Sequence, residues 1–165
     1  MVIDTTAPLA GTLTAGTVPT SGNATVQSTE AGTAYLVKSS VSVTNLASIT
    51  GATGSLWNSV SVSANTSTAL TASGLELGDY VLYIADAAGN LSPVSANSIT
   101  VSMDAPTGVT LNSSSDLGSF NNDKKTADDT PTIDVSGLAV DATVTLIATP
   151  TSGSPTVCTF IATSG

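Results

Sequence analysis

The chain is 165 residues long, and its 12 acidic against 3 basic side chains give it a net charge of −9 at pH 7. A charge of this sign repels nucleic acid and anionic membrane surfaces and attracts cations, so we exclude nucleic-acid binding as a function. The mean hydropathy is +0.32, but no apolar run approaches the ~20 residues that a membrane helix needs, so we expect no membrane insertion.

Two scarce residue types narrow the chemistry further. The chain has no histidine, so the usual general base and every histidine-based triad are missing, and we predict that it is not an enzyme. Its single cysteine, Cys158, cannot form an internal disulfide and lies in an apolar strand pattern, where we expect it to be buried. The chain also starts without a secretory signal and stops directly after a strand-like run, which predicts a piece of a longer protein.

Short runs rich in Val, Thr, Ile and Tyr, divided by Gly, Pro and Asn turns, predict strands along the whole chain. In the first part we expect strands at residues 7–14, 23–28, 33–38, 60–64, 68–71, 75–84 and 91–103, a turn over 16–22 and one helical turn over 45–49. The later part predicts a long polar loop over 112–130 and strands at residues 107–111, 131–136, 142–148 and 156–162. Trp57 is predicted to anchor the core, because a lone large aromatic side chain usually buries itself.

The spacing of two similar segments predicts two domains. A β-branched, apolar run ends at Asp4 with a proline close behind it, and the same pattern returns at Asp104, a hundred positions later. Because small β-sandwiches run to roughly 100 residues, we predict tandem domains at residues 1–103 and 104–165. The second has four predicted strands against the seven or so of a complete immunoglobulin-like sandwich, so we expect it to be truncated. The predicted fold class is therefore all-β, with tandem immunoglobulin-like Greek-key β-sandwiches.

The strand over residues 75–84 carries the clearest fold signal. Within it, residues 75–78 read as a Leu-Glu-Leu-Gly turn, and Tyr80 comes just after this turn, as in the tyrosine corner of Greek-key sandwiches. Tyr83 lies an odd number of positions later, so the two rings face opposite sides of the sheet. We expect one of them in the core and the other at the surface.

The acidic side chains of the first domain all fall in turns or at strand ends. If the strands follow immunoglobulin order, one end of the sandwich gathers carboxylate and amide oxygens from Asp4, Glu30, Asp86 and Asn90. The opposite end gathers Glu76 and Asp79 beside the exit strand that leads to Asp104. Ca²⁺ takes about six to eight oxygen ligands of this kind, and a bound ion relieves the repulsion between carboxylates. The residues alone leave two interpretations open: cation sites, or acidic side chains in turns because turns are wet.

Short motifs at both ends of the first domain and at the start of the second carry a family resemblance. Asp4-Thr5-Thr6-Ala7-Pro8 and Asp86-Ala87-Ala88-Gly89-Asn90-Leu91-Ser92 together resemble the bacterial immunoglobulin-like repeats of giant RTX-type and biofilm adhesins. The loop from Ser115-Asp116-Leu117-Gly118-Ser119 through Asn121-Asn122-Asp123 to Asp129-Thr130-Pro131-Thr132 is similar to another repeat of that class. The chain departs from the family pattern in its shortened Asp104-Ala105-Pro106 segment.

This resemblance implies β-sandwich extender domains that Gram-negative bacteria secrete and string in long arrays, rigidified by Ca²⁺ at or near their joints. The positions that match the family's metal ligands are Asp4, Asp86, Asn90, Asp104, Asp116 and Asp123. The geometric argument alone adds Glu30, Glu76 and Asp79. The partners that the resemblance implies are neighbouring repeats of the same chain.

Two hypotheses of function from different classes remain. The first is structural: an extender segment of an extracellular, cell-surface adhesin that holds a distal binding domain away from the bacterium. The second is a binding module of an adhesin or a secreted enzyme, whose loops grip a carbohydrate or a protein. Trp57 and Phe120 are the aromatic side chains that the predicted loops offer for it. An exposed Trp57 beside a cleft would favour the binding module, and a buried one would weaken it.

Overall fold

The computed structural model describes residues 4–117, 120, 122–128, 130–139, 142–148 and 156–161. The chain divides into two compact units, Met1–Met103 (unit 1) and Asp104–Gly165 (unit 2). Regular structure is almost entirely strand, which confirms the predicted all-β class. The helices among the described residues have only five and three residues, too short to cross a membrane.

Two sheets make up the described part of unit 1. Their strands are β1 (Thr12–Leu13), β2 (Gly16–Pro19), β3 (Asn23–Gln27), β4 (Gly32–Lys38), β5 (Trp57–Val62), β6 (Thr68–Thr71), β7 (Gly78–Ala85) and β8 (Ser98–Ser102). The smaller sheet has the order β1-β3-β6, and the larger has the order β2-β8-β7-β4-β5. Neighbouring strands are antiparallel except for β2 and β8, which run parallel.

The two sheets share one apolar core, because alternate residues of their strands point into the same space. In β3 of the smaller sheet, Ala24 and Val26 are buried while Asn23 and Thr25 are exposed. In β7 of the larger sheet, Tyr80, Leu82 and Ile84 are buried on one face. All five belong to a single cluster of buried side chains. Each buried Leu, Ile or Val contributes about 1.5–3 kcal/mol, which holds the two sheets together.

The predicted tyrosine corner is confirmed. The Tyr80 ring is fully buried, and its hydroxyl donates a hydrogen bond to the backbone carbonyl of Glu76 at 2.8 Å. The same hydroxyl lies 3.2 Å from the carbonyl of Ser55. Tyr83 lies on the opposite face of β7 and is partly exposed, as the odd spacing predicts.

Predictions for two segments of unit 1 are wrong, and the strand predicted over residues 7–14 is regular only in β1. Residues 16–19 do not belong to a turn but form β2, which pairs with β8 from Gly16↔Ile99 to Pro19↔Ser102. Pro19 is tolerated there because β2 is an edge strand, where the missing N–H leaves no ladder partner unpaired. The long strand predicted over 91–103 is regular only in β8. Before it, the hydroxyls of Ser92 and Ser95 accept the backbone N–H groups of Ile84 and Leu82, in place of ladder bonds.

The prediction that Trp57 anchors the core is also wrong. Val60 and Val62 take the core side of β5, and Trp57 lies an odd number of positions away, so it faces outward. Its ring is partly exposed and stands 5.8 Å from the ring of Tyr35, centroid to centroid. The indole N–H donates to the carbonyl of Ala52 at 3.4 Å.

The helical turn predicted over 45–49 is confirmed as α1 (Leu46–Thr50), which a 3-10 turn at Gly54–Leu56 follows. Asn45 caps the helix by accepting the N–H of Ser48, and the Ser48 hydroxyl accepts the N–H of Asn45 in return. Ile49 of α1 is fully buried but lies outside the main core cluster, and so does Val37 of β4. We infer that the segment over residues 39–56 covers one end of the outer face of the larger sheet.

Unit 2 contains two separate two-stranded antiparallel sheets among its described residues. They pair β9 (Gly108–Leu111) with β10 (Ile133–Ser136), and β11 (Thr143–Ala148) with β12 (Thr156–Ile161). These are the four strands that the sequence predicts. In the described part of unit 2 the buried residues are both polar, Ser115 and Asp116. The side chain of Cys158 lies outside the described residues, so its predicted burial stays a prediction.

Candidate cation sites

The turn after β7 is organised by the carboxylate of Asp86. Its Oδ1 accepts the backbone N–H groups of Ala88 at 2.9 Å and Asn90 at 2.8 Å, and its Oδ2 accepts the Asn90 side-chain amide at 2.7 Å. Gly89 supplies the left-handed backbone of the turn, with φ +89°. The hydrogen bond from the Asn90 side chain, helped by the backbone N–H groups, holds the pKa of Asp86 below its usual value. The turn therefore stabilises its own charge.

The structure brings three of the predicted ligands together at this end of unit 1. The Asn90 amide that donates to Asp86 also donates to the backbone carbonyl of Asp4 at 3.2 Å. The Asp4 carboxylate accepts the N–H of Thr6 at 3.0 Å, which stiffens the chain ahead of Pro8. Asn90 thus ties the N-terminal segment to the β7–β8 turn without an ion.

Glu30 lies at the same end of unit 1, because Thr33 at the start of β4 pairs with Ala85 at the end of β7. The approach here is tight: a Cβ on Gly32 would collide with the Ala85 carbonyl. The Glu30 side chain is exposed, and its backbone N–H donates to the Ser28 hydroxyl at 3.1 Å. Register therefore places Glu30 near the Asp86 turn, but no hydrogen bond joins the two among the described residues.

At the opposite end of unit 1, Glu76 has other partners. Its carboxylate pairs with the Lys38 ammonium at 2.7 Å and accepts the Ser55 hydroxyl at 2.9 Å. The hydrogen bond from Lys38, then that from Ser55 and the Lys38 charge, keep the pKa of Glu76 below its usual value. Asp79 accepts the hydroxyl of Thr100 at 2.7 Å. A cation bound here would have to displace Lys38, so we leave Glu76 and Asp79 out of the proposed site.

Asp116 of unit 2 differs from every other predicted ligand because its carboxylate is buried, with 2% of its surface exposed. Its Oδ2 accepts the backbone N–H of Lys124 at 3.3 Å. Its Oδ1 is buried and has no hydrogen-bond partner among the described residues. An unpaired buried carboxylate oxygen is costly and rare in folded proteins, so it calls for a partner such as a cation.

The turn over residues 122–125 closes against Asp116. Consecutive backbone N–H groups are used: Lys124 donates to Asp116, and Lys125 donates to Asp123 at 3.0 Å. Lys124 has φ +61°, a left-handed conformation that a residue with a long side chain adopts at a cost. This turn brings Asp123, another predicted ligand, next to the backbone N–H that donates to Asp116.

A further carboxylate in the same loop was not among the predicted ligands. Asp128 accepts the backbone N–H of Thr130 at 3.0 Å, and that bond, followed by one from Ser115, lowers its pKa. Ser115 is buried and also accepts the N–H of Thr132 at 3.0 Å. The spacing Asp-x-Thr before Pro131 is the sequence signal of this small turn.

Asp104 was predicted at the junction of the domains. It is partly buried and already interacts with another residue. In the part of the chain that the structure describes, no three acidic or cysteine side chains come together as a metal-binding group. A cation at Asp116 would therefore complete its shell mainly with backbone carbonyls and water, which Ca²⁺ accepts readily. Asp116 is thus the carboxylate whose surroundings fit a cation best.

Comparisons with protein-family models, with curated proteins and with solved structures return no match to this chain.

Proposed function

We propose that the chain is a pair of immunoglobulin-like repeats from the extender region of a secreted bacterial adhesin, and that Ca²⁺ bound at Asp116 stabilises the second repeat. In this proposal the chain has a mechanical role at the cell surface and no catalytic one. Its partners are neighbouring repeats, which together hold a distal binding domain away from the bacterium.

The strand order of unit 1 supports the immunoglobulin-like part of the proposal. The orders β1-β3-β6 and β2-β8-β7-β4-β5 are those expected of a Greek-key sandwich whose first strand is divided between the two sheets. The parallel pairing of β2 with β8 fits this division. The buried Tyr80, bonded to the carbonyl four residues upstream, is a second feature of such sandwiches.

The single observation that carries the calcium part is the buried, unpaired Oδ1 of Asp116. Asp116 lies in the polar loop between β9 and β10, and the buried residues of described unit 2 are Ser115 and Asp116. A bound metal is a common source of stability in small domains. A cation that contacts Asp116 would supply that stability.

An ion that binds only the folded loop would stiffen such a repeat. The shell around Asp116 forms only when the loop is folded, so Ca²⁺ binds the folded state and shifts the folding equilibrium toward it. Removing the ion leaves a buried charge with an unpaired oxygen, which favours opening of the loop. Extender stiffness would then depend on the calcium level outside the cell.

Calorimetric titration of Ca²⁺ into the protein tests this proposal. We expect binding by the wild type and at least a tenfold weaker affinity, about 1.4 kcal/mol, in Asp116→Asn, which keeps the side-chain volume but removes the charge. The matched control is Asp134→Asn, because Asp134 is an exposed carboxylate of the same unit that accepts the Asn112 amide at 2.9 Å. The control should bind like the wild type. Equal affinity in Asp116→Asn and the wild type would refute the site.

A further inference from the structure

The outer face of the larger sheet in unit 1 carries a row of aromatic side chains. Three of the chain's six aromatic residues lie there, on three consecutive strands: Trp57 on β5, Tyr35 on β4 and Tyr83 on β7. Tyr35 pairs directly with Tyr83 across β4 and β7, and its ring centroid is 5.8 Å from that of Trp57. Strands lie about 4.8 Å apart, so the row spans roughly 10 Å.

All three rings are only partly buried, although they lie on a sheet face. Val37, which lies beside the row on the same face, is fully buried. The planes of the Tyr35 and Trp57 rings are tilted by 46° to each other. The hydrogen bond from the Trp57 indole to Ala52 fixes the ring orientation, so little conformational entropy remains to be lost on binding.

The polar groups around the rings are neutral hydroxyls. Strand register places Ser59 and Thr33 on the same face as Tyr35. Within the described part of the chain, the hydroxyls of Tyr35, Tyr83 and Ser59 form no hydrogen bond. The carboxylate that shares this face, Asp79, lies toward the far end of β7 and is bonded to Thr100. In a chain with a net charge of −9, this is a neutral surface with free donors and acceptors.

We propose that this aromatic row is a binding platform for a neutral polysaccharide. A sugar ring presents C–H groups on its faces and hydroxyls on its rim. The C–H groups pack on the electron-rich faces of aromatic rings, and the hydroxyls pair with Ser, Thr and Tyr hydroxyls. The row is long enough for about two sugar units, given strand spacings of ~4.8 Å. The platform would let an extender repeat hold matrix glycans along its side, independently of the calcium site in unit 2.

Native affinity electrophoresis and the fluorescence of Trp57, the chain's single tryptophan, test the platform. The probes are dextran, hydroxyethylcellulose and galactomannan, with the polyanion alginate as a charged comparison. We expect at least one neutral polymer to retard the protein and shift the Trp57 emission, and alginate to do neither. Retardation should be the same in calcium and in chelator, which separates this result from the calcium proposal.

Three variants place the binding on the aromatic row. Tyr83→Leu keeps an apolar side chain on the sheet but removes the ring, and it should weaken binding roughly tenfold. Tyr83→Phe keeps the ring and should weaken binding less. Phe120→Ala removes an aromatic ring that is 70% exposed in unit 2, and it should have no effect. Thermal melts of each variant confirm that it is folded.

Each remaining outcome decides against the platform. No retardation and no change in emission with any neutral polymer would overturn the proposal. Loss of binding in Phe120→Ala, with Tyr83→Leu unchanged, would move the site to the loop of unit 2. A dimer in sedimentation velocity that Tyr83→Leu abolishes would assign this face to a second copy of the chain.

Discussion

The hydroxyl of Tyr80 donates a hydrogen bond to the carbonyl of Glu76, four residues upstream, across 2.8 Å. Through this bond the buried ring holds the turn that leads into β7. The side chain of Glu76 makes separate contacts: its carboxylate pairs with the Lys38 ammonium and accepts the Ser55 hydroxyl. One short turn therefore combines a buried neutral bond with an exposed charged one, and the two predict different mutational effects.

Replacement of Tyr80 by Phe should destabilise unit 1 by about 1 to 2 kcal/mol, because it leaves the carbonyls of Glu76 and Ser55 short of a donor. Urea unfolding measures this loss. The control is Tyr83→Phe, since the Tyr83 hydroxyl is on the outer face, and its midpoint should match that of the wild type. Equal midpoints for both variants would contradict the role of the corner.

Burial is the main cause that raises the pKa of Tyr80, and the nearby negative charge of Glu76 raises it further. Because the pKa is higher in the folded chain, the stability that the protonated Tyr80 hydroxyl contributes is fully present below the ordinary tyrosine value of about 10. It is lost as pH rises through the folded pKa. We expect the stability difference between the wild type and Tyr80→Phe to shrink at alkaline pH. Melts at neutral and alkaline pH measure it, and a difference that grows with pH would contradict this assignment.

The Asp86 turn predicts an acid dependence of the opposite sign. Hydrogen bonds from Asn90 lower the pKa of Asp86 in the folded chain, so its contribution is present above the ordinary aspartate value of about 3.9 and is lost as pH falls through the folded pKa. Asp86→Asn keeps the turn's acceptor but removes the charge, so it should melt below the wild type at neutral pH only. Asp86→Ala removes the acceptors as well and should melt lower at both pH values. A wild-type advantage over Asp86→Asn that persists in acid would be inconsistent with this account.

Glu76→Gln tests whether the carboxylate of Glu76 in unit 1 contributes to calcium binding. The Lys38–Glu76 pair is exposed, so its loss should change stability little. Because Lys38 already occupies this carboxylate, the melting shift that calcium causes should be the same in Glu76→Gln and in the wild type. A reduced calcium shift in Glu76→Gln would return this carboxylate to the list of ligands.

Local chemistry made parts of the fold predictable from the sequence. The tyrosine corner depends on Tyr80 and its own preceding turn, and the helical turn at Leu46–Thr50 depends on Asn45 and Ser48 nearby. The position of β2 was missed because its parallel partner, β8, is about eighty residues away in the chain. Nothing within residues 16–22 indicates that pairing.

In the candidate sites, too, contacts between residues close in sequence were predictable and contacts between distant residues were not. The aspartate in the β7–β8 turn and its Asn90 partner are four residues apart, so their contact follows from the sequence. The ion pair of Glu76 was not predicted because its partner, Lys38, comes from a distant strand. The contact of the Asp116 carboxylate with the backbone N–H of Lys124, eight residues later, likewise does not follow from the residues beside Asp116 in the sequence. Trp57 was predicted in the core because a lone tryptophan usually buries itself. In β5, however, Val60 and Val62 face the core, and the alternation of side chains along the strand turns Trp57 outward.

The central claim is that Ca²⁺ completes the surroundings of Asp116, and thermal melts in excess Ca²⁺, in Mg²⁺ and in chelator test it most directly. A ligand at 100 times its Kd stabilises the folded state by ~2.7 kcal/mol, which moves the midpoint of a small domain by several degrees. We predict such a shift for the wild type in Ca²⁺, a smaller one in Mg²⁺, and at most about half of it for Asp116→Asn, because a tenfold weaker affinity leaves that variant at only about 10 times its own Kd. In chelator, Asp116→Asn should melt at or above the wild type, because it removes an unpaired buried charge. Identical wild-type melts in Ca²⁺ and chelator would contradict the claim.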